Sequence, residues 1–181
     1  MKRGLLALTS LAVAGLLLWA RSPMQTVRAA DATITWEAED PKGDLAAPFQ
    51  RKTRQYPDSK PKPQKNSGTG YVEIKDKANG DKKEGDGSSL PGLLSFKVKV
   101  PAAGQYKLWG RVLWPDGCGN SFYVCKQGRP NQILGEDGTY DAWHWVELQG
   151  PKLTLAAGVN VIEVHNREDG VILDQLQLTT T

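Results

Sequence analysis

Apolar and polar residues alternate in short runs along most of this chain. "ATITWEAE", "GYVEIK", "LLSFKVKV", "QYKLWGRVLW", "NSFYVCK", "WHWVELQG", "KLTLAAGVNVIEV" and "GVILDQLQLT" all carry a period close to two. That period marks half-buried strands, and Gly, Pro, Asn and Asp separate the runs at short intervals. No segment sustains an apolar period of 3.6 residues over helix length. The pattern predicts an all-β domain, a sandwich or a barrel. "KVKVPAAGQYKLW" and "LTLAAGVNVIEV" read as hairpins, each with a Gly to take the turn conformation.

Two stretches break the alternation. Gln50–Gly68 is rich in Lys, Pro and Gln, and Lys75–Gly92 is charged and Gly-rich. Neither can bury much apolar area, so both are expected to be long surface loops. Such a loop is ordinarily a solvated face; the other reading is contact with an acidic polymer.

The start of the chain follows a different rule. Lys2 and Arg3 precede an apolar run from Leu5 to Ala20, and Val27 and Ala29 supply small residues at a cleavage position. This is the layout of a secretory signal peptide over residues 1–29, with a mature domain over 30–181. The apolar run is short for a membrane-spanning helix, which needs about 20 residues. The expected location is secreted, periplasmic or at the cell envelope, with no membrane association unless the signal is retained.

Charge changes the picture only after that cut. The whole chain has 23 basic and 20 acidic residues. Lys2, Arg3, Arg21 and Arg28 leave with the signal, so the mature domain is near neutral. Nucleic acid is therefore not an expected partner. The two cysteines, Cys118 and Cys125, could form a disulfide in an oxidising compartment only if the chain turns between them.

Chemistry concentrates in a few places. "TWEAED" puts Glu37 and Glu39 two residues apart, which in a strand means one face. Two carboxylates that close need a cation, a shared proton, or an Arg or Lys between them; Arg167 is one candidate. In "GQYKLWGRV", Tyr106, Leu108, Gly110 and Val112 form the core face, so Trp109 and Arg111 look outward. They make either a sugar platform, ring stacking plus directional hydrogen bonds, or a cation–π pair covering the sheet. His144 and His165 are the only histidines. A copper or zinc site from both, with Cys118 or Cys125, has no local ligand spacing behind it. No GxSxG, HExxH or P-loop motif occurs, so an enzyme is not expected.

Taken in order, "WEAED", "GTGYVEI", "FKVKVPAAGQYKLWGRV", the W-x-W strand, "LTLAAGVNVIEV" and "REDGVILDQLQLT" resemble the carbohydrate-binding modules of families 6 and 35. The likeness covers nearly all of the mature chain. It implies a galactose-binding-domain-like jelly-roll β-sandwich, usually non-catalytic, that binds a glycan or polysaccharide. It also implies a structural calcium ion held by Glu37, Glu39 and Asp174, a set of hard oxygen donors such an ion accepts.

In such modules an aromatic residue ahead of the W-x-W strand stacks on the sugar, and Trp143 is the matching position. Trp145 shares its face if the strand has begun, and either could be core. Tyr140 and Asp141 lie in the same loop. Trp114 sits at a strand end near Asp116 and Asn120, and these loops are expected at one rim of the sandwich. The chain departs from the family 6 pattern at Ile172, where an Asn would bond a sugar hydroxyl. Arg167, Glu168 and Asp169 of "REDG" could substitute, or form only a tight turn. The alternative function is an envelope or adhesive module that contacts proteins through the same sandwich without a working sugar site; less favoured still is a glycan-active enzyme.

Overall fold

The computed structural model describes residues 32–40, 44–56, 65–78, 92–126 and 132–180. The expected signal peptide, and most of the 75–92 loop, lie outside them. Twelve strands run through the described residues: β1 Thr33–Glu37, β2 Asp44–Ala46, β3 Gln50–Lys52, β4 Tyr71–Ile74, β5 Leu93–Val100, β6 Gly104–Leu113, β7 Ser121–Lys126, β8 Gln132–Gly135, β9 His144–Glu147, β10 Leu153–Leu155, β11 Gly158–His165 and β12 Val171–Thr179. They form two antiparallel sheets packed face to face, the all-β jelly-roll sandwich that the alternation and the resemblance led us to expect.

The five-stranded sheet has the order β2-β5-β11-β7-β8. The seven-stranded sheet is built on β6 and β12, which pair along most of their length. One edge of β12 is shared: β4 pairs with Val171–Leu173 and β1 with Gln175–Thr179. One edge of β6 is shared likewise by β10 and β9. The core lies between the sheets and includes Val72, Leu94, Phe96, Leu108, Val112, Trp114, Phe122, Ile162, Val164, Leu176 and Leu178. All but Trp114, which follows the end of β6, are inward positions of alternating strands, and their burial supplies the main drive for folding.

Two expected hairpins are not hairpins. β5 belongs to one sheet and β6 to the other, and the same holds for β11 and β10. The turns at 101–103 and 156–157 are therefore arches between sheets. They lie side by side, because Val100 pairs with Gly158 while Gly104 pairs with Leu155. A period of two fixes which face a residue takes, and it is identical in a hairpin and in an arch. Asn160 closes the second arch, accepting from Ala156 N at 3.1 Å and donating to Ala156 O at 2.8 Å.

The expected loop over 50–68 is partly structured. It opens with β3, paired to β4. Its far end is pinned by buried Asn66, whose Oδ1 accepts from Tyr56 N at 2.7 Å and whose Nδ2 donates to Gly70 O at 2.7 Å. Tyr56 packs with Tyr71, Leu113, Trp143 and Ile172 in a small second cluster. These side chains cover one end of the outer face of the seven-stranded sheet.

Candidate functional site

The acidic cluster forms where β1 hands over to β4 along β12. Ahead of that junction Leu173 pairs with Val112; beyond it Gln175 pairs with Arg111. β12 thus spends two residues where β6 spends one, and Asp174 is the extra residue of a β-bulge. A bulge of this kind re-aims a side chain and ends regular pairing. Asp174 is fully buried. Glu37 is the last residue of β1, and Glu39 follows in the turn beyond it. Carboxylate oxygens of all three lie within 4.8 Å of one another.

Protein donors surround this cluster. Ser67 Oγ donates to Glu37 Oε2 at 2.6 Å or to Asp174 Oδ1 at 2.9 Å, and Ser67 N reaches Asp174 Oδ2 at 2.9 Å. Gly70 N donates to Glu39 Oε1 at 2.9 Å, and Gln175 Nε2 to Glu37 Oε1 at 2.8 Å. The Arg111 guanidinium forms an ion pair with Asp174 and donates to Lys65 O at 3.1 Å. Arg111, not Arg167, is the cation facing the acids.

The accounting still leaves an excess. Three carboxylates against one guanidinium carry two uncompensated negative charges when all are ionised. Glu39 Oε2 is buried with no hydrogen-bond partner. Burial raises the Glu39 carboxyl above its usual range, and the charges on Glu37 and Asp174 add to the rise; backbone N–H donors offset part of it. Space is reserved as well. A Cβ on Gly68, whose φ is +51°, would sit 3.1 Å from Glu39 Oε1 and 3.2 Å from Glu37 Oε2.

The outer face of the seven-stranded sheet continues from this cluster, and the pairing register orders it into rows. Trp145, Arg111, Gln175 and Glu37 lie across β9, β6, β12 and β1 in one row. Glu147, Trp109, Gln177 and Thr35 make the next. Trp109 and Arg111 therefore point outward, as their alternation predicts. Trp145 is 40% exposed. Gln177 Nε2 donates to Thr35 Oγ1 at 2.9 Å, and Lys107 bridges to Glu147 at 2.9 Å.

Two expected platforms are not exposed. Trp143 is 8% exposed, with Tyr56 edge-on at 5.9 Å and the Arg111 guanidinium 5.3 Å above its ring. Tyr56, four residues beyond β3, packs against it. Trp114 is fully buried against Phe122, and its Nε1 donates to Asp137 Oδ1 at 3.1 Å. Asn120 and Tyr140 do meet at the loop end, with Asn120 Nδ2 at 3.4 Å from the Tyr140 hydroxyl. Tyr140 is 41% exposed.

In "REDG", Arg167 and Glu168 are turned into the fold. Buried Glu168 accepts from Asn120 N at 2.7 Å and Ser121 Oγ at 2.8 Å, and Arg167 pairs with Glu168 and Glu136. The two cysteines are not joined: Cys118 is exposed and Cys125 buried. The two histidines lie in different sheets, His144 on β9 and His165 on β11. No group of converging ligand atoms among the described residues contains both.

Ser67, Trp145, Gln175 and Gln177 escaped the sequence reading as site residues. "LDQLQLT" carried a signal for the two glutamines, since they alternate with core Leu176 and Leu178. Ser67 had none, because its contacts to Asp174 cross more than 100 residues of chain and its contact to Glu37 crosses 30.

No protein-family profile matches the chain, and no curated protein matches it. Solved structures do. The chain is similar to a family 35 carbohydrate-binding module from Clostridium thermocellum at 17% identity, covering 83% of this chain and 99% of that one, TM-score 0.56. A family 35 module from Paenibacillus barcinonensis matches at 16% identity over 82% and 99%, TM-score 0.57. A GH26-CBM35 β-(1,4)-mannanase from Podospora anserina matches at 19% identity and TM-score 0.60, over 84% of this chain but only 28% of that enzyme. The chain has the jelly-roll β-sandwich fold of the family 35 carbohydrate-binding modules.

Proposed function

We propose that this chain is an exported, non-catalytic glycan-binding module, and that its ligand lies on the outer face of the seven-stranded sheet. The observation that carries the reading is the row of Trp145, Arg111 and Gln175, flanked by Trp109 and Gln177. An exposed indole stacks on the apolar face of a pyranose. Planar amide and guanidinium groups beside it take hydroxyls directionally. Three inter-strand steps from β9 to β1 span roughly 14 Å, which suits a short stretch of polysaccharide better than a single sugar. Tyr140 and Asn120 at the loop end form a secondary contact.

The acidic cluster is read as a structural calcium site. Glu37, Glu39 and Asp174 supply hard oxygens, the residual charge matches a divalent ion, and Glu39 Oε2 lacks a partner. Calcium there would join β1, β12 and the segment entering β4. Asp174 is fully buried and tied to Ser67 and Arg111, which favours a structural role over general acid or base work.

Glycan retention in an affinity gel tests the reading. Trp145→Ala should abolish retention on the recognised polysaccharide with the melting temperature unchanged. Unchanged retention would move the ligand off this face, and no retention by the parent protein on any glycan would leave the protein-contact alternative.

A further inference from the structure

A second constellation lies on the other sheet. Cys125 on β7 stands directly opposite Glu163 on β11, and His165 is two residues further along β11. Val124, Ile162 and Val164 face the core, so the three side chains share the outer face of the five-stranded sheet. Their ligating atoms converge. Cys125 Sγ lies 3.3 Å from Glu163 Oε2 and 3.4 Å from His165 Nε2, and His165 Nε2 lies 3.4 Å from Glu163 Oε2.

Hydrogen bonding alone does not account for this triangle. A thiol and a neutral imidazole bring at most two protons to three edges, so one edge is left without a bridge. One ion at the centre serves all three atoms. With Zn–S near 2.3 Å and Zn–N and Zn–O near 2.0–2.2 Å, a tetrahedral ion holds its N and O ligands about 3.3–3.5 Å apart and its S about 3.5–3.7 Å from either. The N···O edge of 3.4 Å lies in that range, and the two sulfur edges, 3.3 and 3.4 Å, would open by a few tenths of an ångström on binding. No Lys or Arg among the described residues pairs with Glu163.

We propose that Cys125, Glu163 and His165 form a zinc site, independent of the acidic cluster, with three protein ligands and one coordination position open. The donor set selects the metal: sulfur and nitrogen suit zinc and disfavour calcium and magnesium, which take oxygen. Binding replaces the thiol hydrogen of Cys125 by the metal and releases that proton to solvent; Glu163 binds as carboxylate and His165 as neutral imidazole. The ion would clamp β7 to β11 from outside, and its open position would accept water or an anionic or nitrogen ligand.

Cobalt is the probe, added to reduced, metal-free protein. A thiolate ligand gives cobalt an intense near-ultraviolet charge-transfer band, whereas the carboxylates of the acidic cluster do not. The band should saturate near one equivalent and disappear when zinc is added. Cys118→Ser should leave it intact and Cys125→Ser should abolish it. His165→Gln alters a partly exposed side chain and should lower cobalt affinity at least roughly tenfold, since even supporting residues around a metal cost that much, with the circular dichroism spectrum unchanged. No band in the parent protein overturns the proposal. So does a band that survives Cys125→Ser, one lost with Cys118→Ser alone, or one that responds to Glu39→Gln and not to His165→Gln.

Discussion

Arg111 on β6 and Asp174 in the bulge of β12 form an ion pair at the junction of β1 and β4. The carboxylate is fully buried, while the Arg side chain is 21% exposed. The pair couples the acidic cluster to the outer face, because the same guanidinium lies over Trp143. Arg111→Met keeps the aliphatic stem and strands the buried charge. Breaking a buried pair from one side costs about 3–5 kcal/mol, and the partial exposure of Arg111 puts the expected loss near the low end. Urea unfolding in chelator should show this loss, and calcium should recover part of it. An equal loss in calcium and in chelator would remove the metal from the cluster.

Glu39 offers a separable test. Its folded pKa is raised, so its contribution favours the folded state below the ordinary carboxylate value and is lost as pH rises through the folded pKa. In chelator, Glu39→Gln should therefore be neutral or stabilising at pH 7, and any gain should fade as pH falls below that window. In calcium the sign should reverse, because the variant loses a ligand. The parent midpoint should rise with calcium, as any ligand of the folded state requires, and Glu39→Gln should shrink that rise. A parent midpoint indifferent to calcium would sink the metal reading and leave the glycan face untouched.

The two tryptophans of the W-x-W strand should separate cleanly. Trp143 is packed under Arg111 and against Tyr56, so Trp143→Ala opens a cavity and should cost about 3–5 kcal/mol in denaturant unfolding. Trp145→Ala removes an exposed ring and should leave stability within about 0.5 kcal/mol. The reverse ranking would mean that Tyr56 and Arg111 do not cover Trp143 in solution.

Gly70 is fixed by close approach. A Cβ there would lie 2.0 Å from Lys52 O, a backbone atom that cannot swing away. Gly70→Ala must part β3 from the start of β4 and also move the N–H that holds Glu39. A loss of at least roughly 2 kcal/mol in thermal or urea unfolding is expected. A variant as stable as the parent would show that β3 is not held against β4.

The amino-acid sequence by itself determined the strand content and the face of most residues. Alternation alone set Trp109 and Arg111 outward and Leu108 and Val112 inward, because a strand has a fixed period and one side must be apolar. It also marked Glu37, Glu39 and Asp174 as a set, through resemblance in motif order. Tertiary structure decided the rest. Whether a turn closes a hairpin or arches between sheets depends on partners far along the chain, so β5–β6 and β10–β11 could not be told apart from hairpins. Trp143 and Trp145 share a face by period, and only the loop carrying Tyr56 decides which is covered. The bulge at Asp174 is a mismatch of count between two strands whose residues paired on either side of it lie more than 60 apart in sequence, and no single strand contains it. The same is true of Cys125, Glu163 and His165, whose ligating atoms meet through the register of β7 on β11. Local pattern fixes which way a side chain points, and only long-range pairing fixes what it meets.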